Sequence, residues 1–431
     1  MPKQDPMDRS SGYLKKNLET IPQKKRLEYL NQKLRGIIQY AYKHSIAFKN
    51  KMDSAGLKPK DIQTIKDLEK IPITKKAGLV ELQKKNPPFG GLEGVPMNEL
   101  RRIFISPGPI FEPGEMEYVE LGWAQGMYAG GFRPGDIAIN TFSYHMVPFA
   151  LHMVDNSLHR IGCISIPTGV GNTEQQIHIL NNLKATGFCG TPSFLLNIAE
   201  KAEEMGLDLK KDLNLKVGFV AAEMLPESLR SKLEEKFGMI IRQTYGTADI
   251  GCLGYECMKK NGMHIPDDKI VEIVDPETGK QLGPGKTGEI VATTFNKIYP
   301  LVRFGTGDLS IVTETPCPCG RTSPRLLKIL GRVDQVTKVR GLFVHPGQVD
   351  EVASRYPQIA KYQVVVKRKE DKDEMILRIE LKEEVPQPEK LKEEIEKSIR
   401  DVMKVRGDVQ LVPKGTISEG AKKIEDQRTW E

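Results

Sequence analysis

The sequence predicts an α/β protein in two parts: a large multi-layer N-terminal domain and a small α+β C-terminal domain. Three observations predict it. From about residue 100 to 335, short apolar runs alternate with amphipathic stretches, as strands alternate with helices in parallel layers. After residue 335 the order changes to helix, two strands, a long helix and a strand. Finally, 431 residues exceed what one ordinary core organises. The expected domains are 1–334 and 335–431.

Each element has its own reason. Residues 12 to 85 read as mainly helical, with Leu27, Leu30, Leu34, Ile37, Ile38 and Ala41 at helical spacing and shorter helical pieces from Ala47 to Leu68. Ile137-Ala138-Ile139, Gly162 to Ile166, Leu215 to Val220 and Met239-Ile240-Ile241 read as strands. Thr173 to Ala185 and Ser193 to Met205 read as helices, each with a Thr or Ser placed to cap its first turn, and Pro226 to Phe237 as another. In the second part, helices are expected over Gln348–Arg355 and Pro388–Val405. Strands are expected over Tyr362–Lys369, Glu374–Leu381 and Val409–Val412, a ferredoxin-like α+β set of about 95 residues.

Composition excludes several classes. Apolar residues are 39% and charged residues 28%, and the net charge of +7 comes from 64 basic and 57 acidic side chains dispersed along the chain. With 6% aromatics and no basic cluster, nucleic acid is not an expected partner. No apolar run approaches the ~18 residues that span a bilayer, so no membrane is expected. The polar start MPKQDPMDRSSGYLKK lacks a secretory h-region, and a cytoplasmic location is expected. Six cysteines suggest no disulfide framework. Cys163 and Cys189 lie in apolar runs and are expected in the core.

Two blocks carry the most information. Arg303-Phe304-Gly305-Thr306-Gly307-Asp308 puts a carboxylate at the end of a glycine-punctuated turn. It is followed by Gly331-Arg332-Val333-Asp334 and Lys338-Val339-Arg340-Gly341. Together they resemble the nucleotide-ribose motif and interdomain hinge of adenylate-forming enzymes, the acyl-CoA ligase superfamily. Tyr245-Gly246-Thr247-Ala248-Asp249 follows an apolar strand, where open α/β sheets bind ligands. It is similar to the family's Tyr-Gly-x-x-Glu motif, with an acid one methylene shorter. Ala221-Ala222-Glu223 resembles the Gly-Gly-Glu adenine wall; an ordinary strand-to-helix loop is the alternative. Ile166-Pro167-Thr168-Gly169-Val170-Gly171-Asn172-Thr173-Glu174-Gln175-Gln176-Ile177 is similar to the phenylacetate-CoA ligase branch. So is His44-Ser45-Ile46-Ala47-Phe48 with its following Ala-Gly and Leu-x-x-Ile-Pro elements.

The resemblance implies ATP-dependent activation of a carboxylic acid, an aryl acid such as phenylacetate, to an acyl-adenylate and then a CoA thioester. ATP, Mg²⁺ and CoA are its implied cofactors and small-molecule partners, with a homodimer left open. It implies that Asp308 binds the ribose with Arg332 and Lys338 near the nucleotide. Tyr245, Gly246, Thr247 and Glu223 would line the adenine side, and Asp249 would face magnesium. It assigns Ser106 and Gly108 to the phosphate loop. A lysine after Ser418-Glu419-Gly420-Ala421 is implied at the reacting phosphate, Lys422 with Lys423 as the alternative. Cys257, His264, Cys317 and Cys319 suit tetrahedral zinc, and in some relatives the same elements look like a structural zinc site. Free surface thiols are the alternative there, and Cys252 is a substitute ligand.

Two stretches depart from the family. The phosphate loop reads Ile105-Ser106-Pro107-Gly108-Pro109-Ile110-Phe111-Glu112-Pro113-Gly114-Glu115. Its prolines remove N–H donors, its acids oppose phosphate, and no lysine is present. Phe142 to Phe149 is bulkier than the family's glycine-rich stretch and would narrow an acyl pocket; His145 within it reads as a packed core histidine. These departures keep two other functions in view. One is adenylyl transfer without CoA, as in the deazaflavin-adenylating synthetases. The other is a non-catalytic paralogue that binds a nucleotide or acyl-adenylate.

Overall fold

In the computed structural model, residues 8–106, 110–114, 121–333, 337–339, 342–369 and 372–428 are described. The chain divides into two compact units, Met1–Thr306 with Ile311–Lys328, and Gly307–Ser310 with Ile329–Glu431. Asp334, expected as the boundary, lies outside the described residues, as do Arg340 and Gly341.

The first unit begins with helices Gln23–His44 and Ile46–Ser54. Ser45 separates them: its Oγ accepts from Phe48 N at 3.4 Å and donates to Gly91 O at 2.9 Å. The helical stripe expected from periodicity (Leu34, Ile38, Ala41) is fully buried against Phe48, Met52, Leu68 and Ile71.

The large sheet is half parallel. Strands Ile164–Ile166, Ile137–Asn140, Gly187–Gly190, Val217–Val220 and Ile240–Thr247 pair parallel in that order. Gly187–Gly190 and Val217–Val220 are buried throughout, which is why they read as continuous apolar runs rather than alternating ones. Helices Thr173–Leu183, Pro192–Glu204 and Glu227–Phe237 cover them. Beyond Ile240–Thr247 the sheet turns antiparallel through Gly251–Glu256 and Met263–His264 to Arg325–Arg332. It then continues through Phe304–Thr313 and Thr287–Thr294 to Lys269–Val274.

Several local expectations are corrected. Thr173 is not a cap: Asn172 precedes that helix in a left-handed conformation and no side chain caps it. The next helix is capped by Thr191, whose Oγ1 accepts from Phe194 N at 3.2 Å, and starts at Pro192 rather than Ser193. Tyr245 to Thr247 is strand rather than turn, because the Ile240–Thr247 strand runs on through it. Asp308 likewise sits inside the Phe304–Thr313 strand. His145 is exposed, whereas His152, seven residues later, is the buried one. The helix Leu121–Ala129 was not expected; it is mostly apolar because it is mostly buried, and its Gln125 Nε2 donates to Asp267 Oδ2 at 2.6 Å.

The second unit has the expected small α+β layout. Strands Ile359–Lys369 and Lys372–Leu381 pair antiparallel, Asp408–Leu411 joins the second parallel, and helices Pro346–Ser354 and Pro388–Met403 share its core. An unexpected strand, Ile424–Asp426, closes the other edge parallel to Ile359–Lys369.

Candidate nucleotide and metal sites

The strand Ile240–Thr247 is the seam between the parallel and antiparallel halves of the sheet. Its register slips between Tyr245 and Gly246, which moves the pairing from Gly254 to Cys252. A Cβ at Gly246 would lie 2.4 Å from Gly251 O, so only glycine fits the bulge. Thr247 Oγ1 then accepts from Ile250 N at 3.2 Å, turning the chain at Asp249. The Asp249 side chain has no exposed area; its Oδ2 accepts from Lys76 Nζ at 2.5 Å, and its Oδ1 is buried without a hydrogen bond. Lys76 was not singled out from the sequence. It follows the short strand Thr74–Lys75, which pairs parallel with Phe304-Gly305.

The stretch expected as the phosphate loop is a hairpin in its described residues. Arg102–Ser106 pairs with Ile110–Gly114, and Ile105 N donates to Met146 O at 2.7 Å, joining it to the bulky Phe142–Phe149 stretch. Ser106 is buried and its hydroxyl donates to Glu112. Gly108 lies outside the described residues. Burial, and then the negative charge of Asp249, push the Glu112 carboxyl up to about 8. Behind the hairpin His152 packs edge-on to Phe104 at 4.5 Å, and Arg102 Nη1 donates to its Nε2 at 3.3 Å. A guanidinium can only donate, so that nitrogen carries no proton. Burial and the Arg102 charge hold His152 down to about 4.

Glu223 is exposed and turns back to the preceding helix Pro192–Glu204, accepting from Ser193 Oγ at 2.8 Å and Ser193 N at 3.2 Å. Ala222 before it has φ +69°, a conformation that glycine adopts without strain. In the second unit Arg332 Nη1 lies 3.3 Å from Asp308 Oδ1, with Arg332 43% exposed. Gly307 has φ +78°, and a Cβ there would lie 2.8 Å from Arg332 Nη2. Lys338 falls in the strand Thr337–Val339; its side chain lies outside the described residues. Lys423 is engaged, 2.5 Å from Asp350 Oδ1 and over the Tyr362 ring at 5.7 Å. Lys422 is exposed, and its carbonyl accepts from Gln363 Nε2 at 3.0 Å.

The ligand atoms of Cys257, His264, Cys317 and Cys319 all lie within 4.8 Å of one another. Tetrahedral Zn–S bonds of about 2.3 Å put two sulfurs about 3.8 Å apart. Cys257 Sγ and Cys317 Sγ are 3.8 Å apart, and Cys319 Sγ is 3.3 Å from His264 Nε2. His264 Nδ1 meets Ser323 Oγ at 3.2 Å, the outer contact that orients a metal-binding imidazole. Cys257 and Cys317 are buried, unlike surface thiols. Cys252 lies outside the four, in the core with Trp123 and Phe219. The loop is tied to the N-terminal segment: Tyr13 OH donates to Cys319 O at 2.6 Å, and Arg321 Nε to Glu19 Oε2 at 2.8 Å.

Among the described residues no helix is long and apolar enough to cross a membrane. Comparison with known proteins adds the following. Residues 124–296 match the AMP-binding enzyme family and residues 341–428 the AMP-binding enzyme C-terminal domain. The chain is 32% identical to a phenylacetate-coenzyme A ligase of Thermus thermophilus over 437 residues, 94% of this chain and 97% of that one. It is 30% identical to the Escherichia coli protein of the same name, with 82% of each covered. A crystal structure of 2-hydroxyisobutyryl-CoA ligase in an open conformation, in complex with 2-HIB-AMP and CoA, superposes with TM-score 0.86 at 25% identity. That superposition covers 99% of this chain and 96% of the other.

Proposed function

Because the chain belongs to the phenylacetate-CoA ligase family of AMP-binding enzymes, we propose that it uses ATP to convert a carboxylic acid, an aryl acid such as phenylacetate, into its CoA thioester. In the first step a carboxylate oxygen attacks the α-phosphorus and the bond to the bridging oxygen breaks, giving acyl-adenylate and pyrophosphate. In the second the thiol sulfur of CoA attacks the acyl carbon, AMP leaves, and the thiol proton passes to solvent.

The observation that carries this reading is the placing of Tyr245 to Asp249 at the seam of the sheet, ending in a carboxylate with one buried, unpaired oxygen. Ligands of open α/β sheets bind at such strand ends. Tyr245, Gly246 and Thr247 would flank the adenine, with Glu223 fixing the neighbouring wall. The unpaired Oδ1 fits a magnesium ligand. Mg²⁺ would neutralise charge on the phosphates when bound, and Asp249 is the residue that would hold it. Asp308 would accept hydrogen bonds from the ribose hydroxyls, its charge supported by Arg332. Lys422, rather than the engaged Lys423, would supply the cation for the reacting phosphate. Cys257, His264, Cys317 and Cys319 would hold a structural zinc. It would tie the loop to the N-terminal segment and leave no open position for chemistry.

One observation favours a second reading. Glu112 turns in to Ser106 within the stretch that the family resemblance assigns to the phosphates, which suits a paralogue that binds AMP or an acyl-adenylate without turnover. Pyrophosphate release from ATP over a panel of aryl acids, with and without CoA, separates the two. CoA-dependent product with aryl acids supports the ligase, and Asp308→Ala should then lower it about a hundredfold through lost nucleotide hydrogen bonds. AMP binding without turnover on any acid supports the paralogue.

A further inference from the structure

The hairpin that replaces the usual phosphate loop carries an acid inward. Glu112 lines a cavity of about 50 Å³ together with Phe104, His152, Asp249, Asn296 and Tyr299. Glu112 is 4% exposed and Asp249 9%. Three oxygens here are buried without a hydrogen bond of normal geometry: Glu112 Oε2, Asp249 Oδ1 and the Tyr299 hydroxyl. The other oxygen of each acid is committed, Glu112 Oε1 to the Ser106 hydroxyl and Asp249 Oδ2 to Lys76 Nζ. Leaving a buried carboxylate oxygen unpaired costs on the order of 1–3 kcal/mol, and two at one small cavity is an arrangement that a cation makes good.

The donors identify the cation. Carboxylate and phenol oxygens with room for water suit a hard divalent ion such as Mg²⁺ or Mn²⁺, not a thiolate-seeking one. Glu112, pushed up to about 8, keeps its proton near neutral pH, so Lys76 and Asp249 cancel; a divalent ion that displaces that proton leaves the site at +1. A site of that sign receives phosphate.

We propose that Glu112, with Asp249, binds a divalent cation in this protein before nucleotide arrives. The inference rests on the reading of Asp249 as the magnesium-facing acid and deepens it. Asp249 is one methylene shorter than the family's Glu, and Glu112 supplies from across the cavity the carboxylate reach that position 249 lacks. The acid in the phosphate hairpin is then an adaptation of the site rather than an obstacle to it.

The test uses the nucleotide-free full-length protein and Mn²⁺, followed by loss of the free-ion electron paramagnetic resonance signal. Wild type should bind one Mn²⁺ that excess Mg²⁺ displaces. Glu112→Gln should weaken that binding about tenfold or more, by loss of one charged ligand, while metal-free AMP affinity from calorimetry stays within about twofold. Lys76→Gln, which frees the second oxygen of Asp249, should tighten Mn²⁺ binding and keeps the test open if Glu112→Gln does not fold. No Mn²⁺ binding by wild type without nucleotide overturns the proposal. So does wild-type affinity in Glu112→Gln, or affinity in Lys76→Gln no tighter than wild type. Glu112-dependent Mn²⁺ binding in a protein that binds neither AMP nor ATP would leave the cation site standing and remove the nucleotide reading instead.

Discussion

Lys76 Nζ lies 2.5 Å from Asp249 Oδ2, joining the turn after the first short strand to the acid that ends the Tyr-Gly motif. The lysine is 24% exposed and the aspartate side chain not at all. Removing the partner of a buried charge costs about 3–5 kcal/mol, and the partial solvent contact of Lys76 places this case at the lower end. Lys76→Met should therefore lower unfolding free energy by about 3 kcal/mol. The double variant Lys76→Met/Asp249→Asn should recover most of that, because no uncompensated charge remains. Urea melts of the two singles and the double measure the coupling; additive losses would mean that the pair does not interact.

Lys422 and Lys423 are adjacent, but only one is available. Lys423 holds Asp350 and covers the Tyr362 ring, at a surface where such a pair is worth about 0–1 kcal/mol. Lys422→Ala should cut thioester formation by about a hundredfold, as loss of a transition-state cation does, with an unchanged melting temperature. Lys423→Ala should leave the rate within a few-fold and lose a few tenths of a kcal/mol. The reverse pattern in steady-state rates would exchange the two assignments.

The Cys257, His264, Cys317, Cys319 cluster should contain one zinc per chain by elemental analysis of the purified protein. A hydrogen bond from the Cys257 thiol, and then the His264 imidazole, lower the Cys319 thiol well below its ordinary range, which favours the thiolate that a metal takes. Cys319→Ala should abolish stoichiometric zinc. Chelation should lower the melting temperature and expose the N-terminal segment to protease, because Tyr13 and Glu19 are anchored to this loop. Tyr13→Phe tests the anchor alone and should cost about 1 kcal/mol while zinc is retained. A metal-free protein with a normal melt would return the four residues to the status of packed thiols.

What was readable in the sequence follows from how local its causes are. Val217–Val220 and Glu227–Phe237 were legible because an apolar run and a 3.6-residue period are properties of neighbouring residues. The four metal-cluster residues were legible because Cys-x-Cys and Glu-Cys…His are short motifs, though only the folded sheet brings Cys257 to Cys317. Leu121–Ala129 was not, since Trp123, Ala124 and Met127 with two glycines leave no polar face to mark a period. The hairpin through Pro113 was hidden too. Proline argues against a strand unless the strand is an edge, and in a two-stranded sheet every strand is one. Glu112 meets Asp249, far away in sequence, only across a cavity of the folded chain, and nothing local separates Lys76 from Lys75.

His152 offers a test of the same wall by pH. It is 4% exposed, against Phe104 and Arg102, and it titrates near 4 in the folded chain. In the unfolded chain a histidine titrates near 6.5. Between those values the unfolded chain binds a proton that the folded one does not, so stability must fall as pH drops from about 6.5 to about 4. Above 6.5 the histidine is neutral in both states and contributes no slope. At about 1.4 kcal/mol per unit, the loss is capped near 3 kcal/mol. Urea midpoints at pH 7.5, 5.5 and 4.5 for wild type and His152→Gln isolate this contribution from the carboxylates, which both proteins share. The variant should lose less stability on acidification than wild type. Parallel curves would mean that His152 protonates as freely folded as unfolded, and the packing of Phe104 and Arg102 around it would have to be looser than the structure has it.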